Sequence, residues 1–207
     1  MPSDLVSQTA QGAVLSMTSN VLAQFITAYK NETSFGLSLE PILEFAIFSV
    51  ISNPPNIVWQ TFLEDMYPTN VPVREPAGAE TEKAIANGKA NGKPTFTSTA
   101  VKTELSKRNL LIKFALDQTI GAVVNTLLFL TFMGYMNALN NHTPVLLGAQ
   151  EAIMTEIKSK FFPMIKDGYK FWPFVSLVSF LWVPVERRVV FGCLVGVGWG
   201  VYLSLMV

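Results

Sequence analysis

Residues 110–136, LLIKFALDQTIGAVVNTLLFLTFMGYM, give the clearest indication of the fold. Lys113 and Asp117 are the only charged side chains in this stretch, and both lie near its start. A helix rises about 1.5 Å per residue, so this one would cross the roughly 30 Å hydrocarbon core of a bilayer. The stretch therefore predicts a transmembrane helix, span 3.

The composition of the whole chain agrees with a membrane location. Half of the 207 residues are hydrophobic and only 14% are charged, against about a quarter in a typical soluble domain. One small core cannot bury so much apolar surface, whereas lipid solvates it directly. We therefore predict an all-α, multi-span transmembrane helix bundle that forms a single membrane domain, residues 1–207.

Two further spans are predicted before residue 110. Residues 5–29 hold no charged side chain and residues 41–63 hold one, Glu44, so each stretch has the length and composition of a span. Pro54 and Pro55 lie inside the second stretch. Proline has no backbone N–H, so we expect the helix to break or kink there.

A polar segment separates spans 2 and 3. Residues 66–109 are rich in Pro, Gly, Asn, Thr, Lys and Glu and poor in large apolar side chains, a composition typical of a mobile loop without a core. Seven Lys or Arg residues lie between Pro68 and Asn109. The positive-inside tendency then places this loop on the cytosolic or matrix-like side.

The C-terminal third has a different pattern. Residues 149–166 are amphipathic, with Ile153, Ile157 and Phe161 on one face, which predicts an interfacial helix. Residues 171–207 are apolar but interrupted near Pro184, so they form either one broken span or two segments. We predict four spans, or five if this region crosses twice.

Residues in spans 2 and 3 and near the C-terminus also carry a family resemblance. They are Pro54, Trp59, Asp117, Gln118, Trp172, Pro173, Phe180, Val183, Pro184, Arg188, Trp199, Leu203 and Ser204. The array resembles the Mpv-seventeen and twenty-two-kilodalton peroxisomal membrane protein family. Ser179 and Gly200 stand where that family usually has Asn, so the chain is similar to divergent, fungal-type members.

This resemblance implies a location and a class of function. It implies a multi-pass protein of an intracellular organelle membrane, either the mitochondrial inner membrane or the peroxisomal membrane. It also implies pore formation, which has been proposed for relatives, and no established enzymatic chemistry.

The residues themselves suggest where a polar path would run. A carboxylate within a span is costly unless it is paired or faces water, so Asp117 is the first candidate. The candidate lining residues are Asn20, Gln24, Asp117, Gln118 and Asn125. The alternatives are an ion pair between Asp117 and Lys113, four residues apart, and hydrogen bonds from the polar residues to neighbouring helices.

Two further clusters lie near the C-terminus. Glu186, Arg187 and Arg188 stand between two apolar runs and form either a charged gate or an anchor at the membrane interface. Glycines recur every four residues at Gly192, Gly196 and Gly200. They predict a helix-packing face, with contact inside the bundle as the first expectation and dimerisation as the alternative.

Nothing in the sequence indicates an enzyme. One histidine, His142, and one cysteine, Cys193, make no credible nucleophile or metal set, and we expect no cofactor. The formal net charge is zero, so no nucleic-acid partner is expected. The predicted partner is the lipid bilayer. A second copy of the chain or another membrane protein is a further candidate partner.

Two hypotheses for function remain. In the first, the chain is a channel for small solutes or ions. In the second, it is a non-conducting membrane organiser that recruits a partner through the loop of residues 66–109.

Overall fold

The computed structural model describes residues 2–72, 103–140 and 147–206, without the side chains of residues 2, 147 and 200–206. These residues are almost entirely helical, as predicted. The elements are α1 (Pro2–Lys30), α2 (Leu39–Met66), β1 (Asn70–Pro72), β2 (Thr103–Leu105), α3 (Lys107–Leu116), a π-helical turn (Asp117–Gly121), α4 (Ala122–Asn140), α5 (Leu147–Gly168), α6 (Trp172–Trp182), a 3-10 turn (Val185–Arg187) and α7 (Arg188–Met206).

Helices α1 and α2 form an antiparallel hairpin, and α7 packs against both of them near Gly12. The connector between α1 and α2 is held by Gln24, which donates from Nε2 to the Ser38 carbonyl (2.9 Å) and accepts from the Ser38 N–H (2.8 Å). Gly12 allows close packing, because a Cβ there would lie 2.1 Å from Asn53 Nδ2 and 3.2 Å from Cys193 Sγ.

Of the predicted break or kink in span 2, the break does not occur, because α2 continues through Pro54 and Pro55. Prolines are tolerated in such a helix when neighbouring helices hold the segment in place. Here Asn53 is buried, and Asn56 exchanges two hydrogen bonds with Asn125 of α4, at 2.8 and 2.9 Å. These contacts keep the helix continuous.

The segment predicted as a mobile loop, residues 66–109, has ordered ends. Strands β1 and β2 pair antiparallel, with Val71 opposite Glu104, and the Ser106 side chain caps α3 by accepting from the Asn109 N–H (3.3 Å). Three-residue strands are too short to show an alternating pattern, so the sequence did not predict them. Residues 73–102, the rest of the loop, lie outside the described residues.

Helix α3, the π-helical turn and α4 form one continuous helix, Lys107–Asn140, which we call the central helix. Among the described residues, it is the one helix whose length and apolar character suffice to cross a membrane. Helix α6 is apolar but shorter. Only 17% of the residues in the most apolar stretch of the central helix are buried within the chain. Most residues of that stretch are therefore at least partly exposed on the surface of the chain.

Helix α5, which contains the amphipathic residues 149–166, packs antiparallel against α4. A Cβ on Gly134 would lie 2.5 Å from Ile153 Cα, so the glycine lets the two backbones touch. Farther along, Asn137 Nδ2 donates to Glu156 Oε1 (3.0 Å). The amphipathic pattern identified the helix and its apolar face, but that face covers α4.

The C-terminal region, residues 171–207, forms two helices, α6 and α7, separated at Val183 and Pro184. The predicted glycine face is not used within the described residues, because a Cβ on Gly192 or Gly196 would have nothing within 4 Å. The surroundings of Gly200 lie outside the description. Helix α7 packs against α1 through a different side, near Cys193.

Candidate functional site

Asp117 begins the π-helical turn in the central helix. Such turns are rare and occur frequently at functional sites. Gly121 ends the turn and leaves space, because a Cβ there would lie 3.0 Å from Trp59 Nε1 and 3.3 Å from Asp117 Oδ1. The turn therefore brings the Asp117 carboxylate against α2.

Four neutral donors bind the Asp117 carboxylate. Oδ1 accepts from Gln60 Nε2 (2.9 Å) and Trp59 Nε1 (3.3 Å). Oδ2 accepts from Ser176 Oγ (2.6 Å) and Gln118 Nε2 (3.2 Å). We call this set the Asp117 network. The alternative of an ion pair between Asp117 and Lys113 is wrong, because Lys113 contacts a different carboxylate.

The network orients its own side chains. An ionised carboxylate only accepts, so the Gln118 amide nitrogen must face Asp117. That nitrogen also donates to Ser176 Oγ (2.9 Å). Gln118 Oε1 is consequently left buried without a donor. The Gln118 backbone carbonyl accepts from the Tyr169 hydroxyl (2.6 Å).

A cavity of about 470 Å³ lies beside this network. Helices α2, α4, α5 and α6, the π-helical turn and Trp199 of α7 surround it. Its polar lining residues are Ser52, Asn56, Asp117, Gln118, Asn125, Thr126, Asp167 and Ser176. Its aromatic lining residues are Phe48, Phe129, Tyr169, Trp172 and Trp199. The volume lies within the usual range for small-molecule sites, about 300–1,000 Å³.

The five candidate lining residues are divided between two places. Asp117, Gln118 and Asn125 line the cavity. Asn20 and Gln24 line a separate, shallower groove beside the connector between α1 and α2. There Gln24 Nε2 donates to Asn20 Oδ1 (2.8 Å) and also holds the connector. The sequence could not separate the two sets, because spacing along a helix does not show which neighbour it faces.

Lys113 belongs to a second charged group, which we call the ion cluster. Lys113 Nζ and Arg188 Nη2 lie 2.5 and 2.7 Å from Glu64 Oε2, and the Thr69 N–H donates to Glu64 Oε1 (2.8 Å). The Phe180 ring lies 5.2 Å from Lys113 Nζ and 5.0 Å from Arg188 Cζ. Lys113 is fully buried and Arg188 is 6% exposed.

The ion cluster includes one of the three residues predicted as a charged gate, Arg188. Arg188 points inward to Glu64, whereas Glu186 and Arg187 are exposed. None of these three residues lines the cavity. The sequence analysis missed Glu64; the available signal was a carboxylate at the end of an apolar run, but its partners are 49 and 124 positions away.

The described residues include no group of three His, Cys, Asp or Glu side chains that could hold a metal ion. Cys193 Sγ lies 3.7 Å from Asn53 Oδ1, between helices.

Comparisons with known proteins connect the C-terminal part of the chain with one family. The model of the Mpv17 / PMP22 family matches residues 145–204. PXMP2/4 family protein 3 of Dictyostelium discoideum is 36% identical over 84 residues, which are 41% of this chain and 45% of that protein. Protein sym1 of Schizosaccharomyces pombe is 28% identical over 97 residues, 47% of this chain and 43% of the relative.

The Mpv17-like protein of Bos taurus is 28% identical over 96 residues, 46% of this chain and 43% of the relative. The matches therefore span just under half the length of these curated relatives. No solved structure matches the chain.

Proposed function

We propose that this protein, which is similar to the Mpv17 / PMP22 family over residues 145–204, lies in an organelle membrane and lets small solutes cross that membrane by way of the cavity beside Asp117. The similarity to this family supports the location expected from the sequence, which is the mitochondrial inner membrane or the peroxisomal membrane.

The proposed bundle has the predicted spans side by side. Ser16 of α1 donates to the Phe45 carbonyl of α2 (3.0 Å), and Phe48 of α2 contacts Phe129 of the central helix, with ring centroids 5.3 Å apart. These contacts support the proposal that residues 5–29, 41–63 and 110–136 cross the same bilayer. We propose α7, which follows the break at Val183 and Pro184, as the final span.

The observation that supports a solute path is the cavity next to a carboxylate at the level of these spans. Asp117 and Asp167 line it, and no Lys or Arg is among its lining residues. An acidic site with aromatic walls favours cations and neutral polar molecules over anions. The proposed solutes are therefore small, hydrophilic, and neutral or cationic.

Recordings from purified protein in planar bilayers test this proposal. We expect the wild type to conduct with a preference for cations, and Asp117→Asn to lower that preference or the open-state current. Asp65→Asn makes the same change at an exposed position outside the cavity and should leave both unchanged. Circular dichroism establishes that each variant is folded.

Silent bilayers with folded wild-type protein would contradict the channel proposal. That result would favour the second hypothesis, a membrane organiser that recruits a partner through residues 66–109. Deleting residues 73–102 should then abolish partner binding.

A further inference from the structure

The position of α5 carries an inference that rests on the proposed function, since it concerns the route of the solute. Helix α5 lies antiparallel along the central helix. Ile153 contacts Gly134, and the Tyr169 hydroxyl, just after α5, bonds the Gln118 carbonyl. Residues 153–169 therefore lie beside residues 118–134, which belong to the apolar part of the central helix. If that part crosses the bilayer, α5 lies at the same depth.

The length of α5 fits this depth. Its 22 residues span about 33 Å, close to the roughly 30 Å hydrocarbon core. Helix α6 continues in the same direction, because Ser176 contacts Asp117 and Phe180 contacts Lys113. Helix α7 then returns, from Arg188 beside Glu64 to Cys193 beside Asn53. Helix α5 thus has the length and the position of one more pass through the bilayer, although it is less apolar than the central helix.

The outward face of α5 is unsuited to lipid. The side opposite α4 carries the exposed polar residues Glu151, Thr155, Lys158, Ser159 and Lys166, with Phe162 among them. Lys158 stands near the middle of the helix, roughly 15 Å from either end. A lysine side chain there is too short to reach the headgroups. Charged side chains at such depth face the bundle interior or a water-filled space.

We infer that α5 crosses the bilayer and that its polar face, Glu151, Thr155, Lys158, Ser159 and Lys166, forms one wall of a water-filled passage. In the described residues, this face lies on the outside of the single chain. The cavity beside Asp117 lies at one end of this wall, where Met164, Ile165, Asp167 and Gly168 line it.

Cysteine accessibility tests the inference, and the chain has a single cysteine to remove first. In a Cys193→Ala background, Lys158→Cys and Thr155→Cys are reconstituted in vesicles and exposed to a positively charged, membrane-impermeant methanethiosulfonate reagent. Thiolates form and react in water, so we expect modification at least about tenfold faster than at the control Val124→Cys. Val124 is 54% exposed, on the apolar surface of α4.

A measurement on the unsubstituted protein avoids any dependence on folding of the variants. Vesicles are treated with a membrane-impermeant amine-acylating reagent, and the lysines are read by mass spectrometry. Acylation of Lys158 is expected. Protection of Lys158 in vesicles but not in denaturant would overturn the inference, as would equal slow modification of Lys158→Cys and Val124→Cys.

These outcomes are separate from those of the channel test. Conductance that depends on Asp117 together with an inaccessible α5 face would overturn this inference and leave the proposed function intact. An accessible α5 face with silent bilayers would support the water-facing α5 and contradict the channel.

Discussion

The Asp117 network and the ion cluster each surround a carboxylate, but with opposite kinds of partner, neutral donors in the first and cations in the second. Glu64 is neutralised by two cations, in a group that contacts the buried Leu63, Leu110 and Phe180. Asp117 accepts hydrogen bonds from four neutral donors, has no cation beside it in the described residues, and borders a cavity. A closed cluster of opposite charges locks helices together, whereas a solvated carboxylate beside a cavity is available to a solute.

The difference also shows how the helices are joined. The ion cluster connects the ends of α2, α3 and α7, residues 64, 113 and 188. The Asp117 network connects α2, the π-helical turn and α6. We therefore expect changes in the ion cluster to affect stability first, and changes in the Asp117 network to affect conduction first.

Glu64→Gln should have the largest effect on stability. It leaves Lys113 and Arg188 as buried cations without a counter-charge, which costs about 3 kcal/mol or more. Thermal unfolding in detergent, followed by circular dichroism, measures the loss. Glu186→Gln neutralises an exposed carboxylate and should leave the transition unchanged. A stable Glu64→Gln variant would mean that the ion cluster does not hold the helices.

Asp117→Asn is the matched change in the Asp117 network, and it should lower the stability by less than Glu64→Gln does. No cation is left unpaired, but the new amide nitrogen faces either the Trp59 and Gln60 donors or the Gln118 donor, which costs about 1–3 kcal/mol. The same unfolding measurement, paired with conductance, tests the comparison. A loss of stability equal to that of Glu64→Gln, with unchanged conduction, would make Asp117 a structural residue.

Ser176→Ala should have the smallest effect of the three. It removes one of four donors to Asp117, at a cost of about 1 kcal/mol, and shifts cation preference less than Asp117→Asn does. Ser7→Ala is the control, because that exposed hydroxyl lies outside the cavity and accepts from Gln11 Nε2 of its own helix (3.0 Å). Equal effects of the two serine changes would remove Ser176 from the proposed site.

The helical class and the approximate position of each helix follow from the residues alone. Long uncharged stretches such as 110–136 require lipid or burial, and a helix satisfies its own backbone hydrogen bonds. The residues that bind Asp117 also include Trp59 and Gln118, which the family resemblance had singled out. Even so, the resemblance did not indicate that these side chains meet in one network.

The contacts between helices depend on how they pack. Lys113 is four residues from Asp117 but binds Glu64, 49 positions away. Packing of α2 against the central helix brings the Glu64 carboxylate to the Lys113 ammonium group. The amphipathic residues 149–166 cover α4 because Gly134 admits Ile153. Periodicity shows that a helix has an apolar face, but whether that face meets lipid or another helix is settled by which backbones can approach.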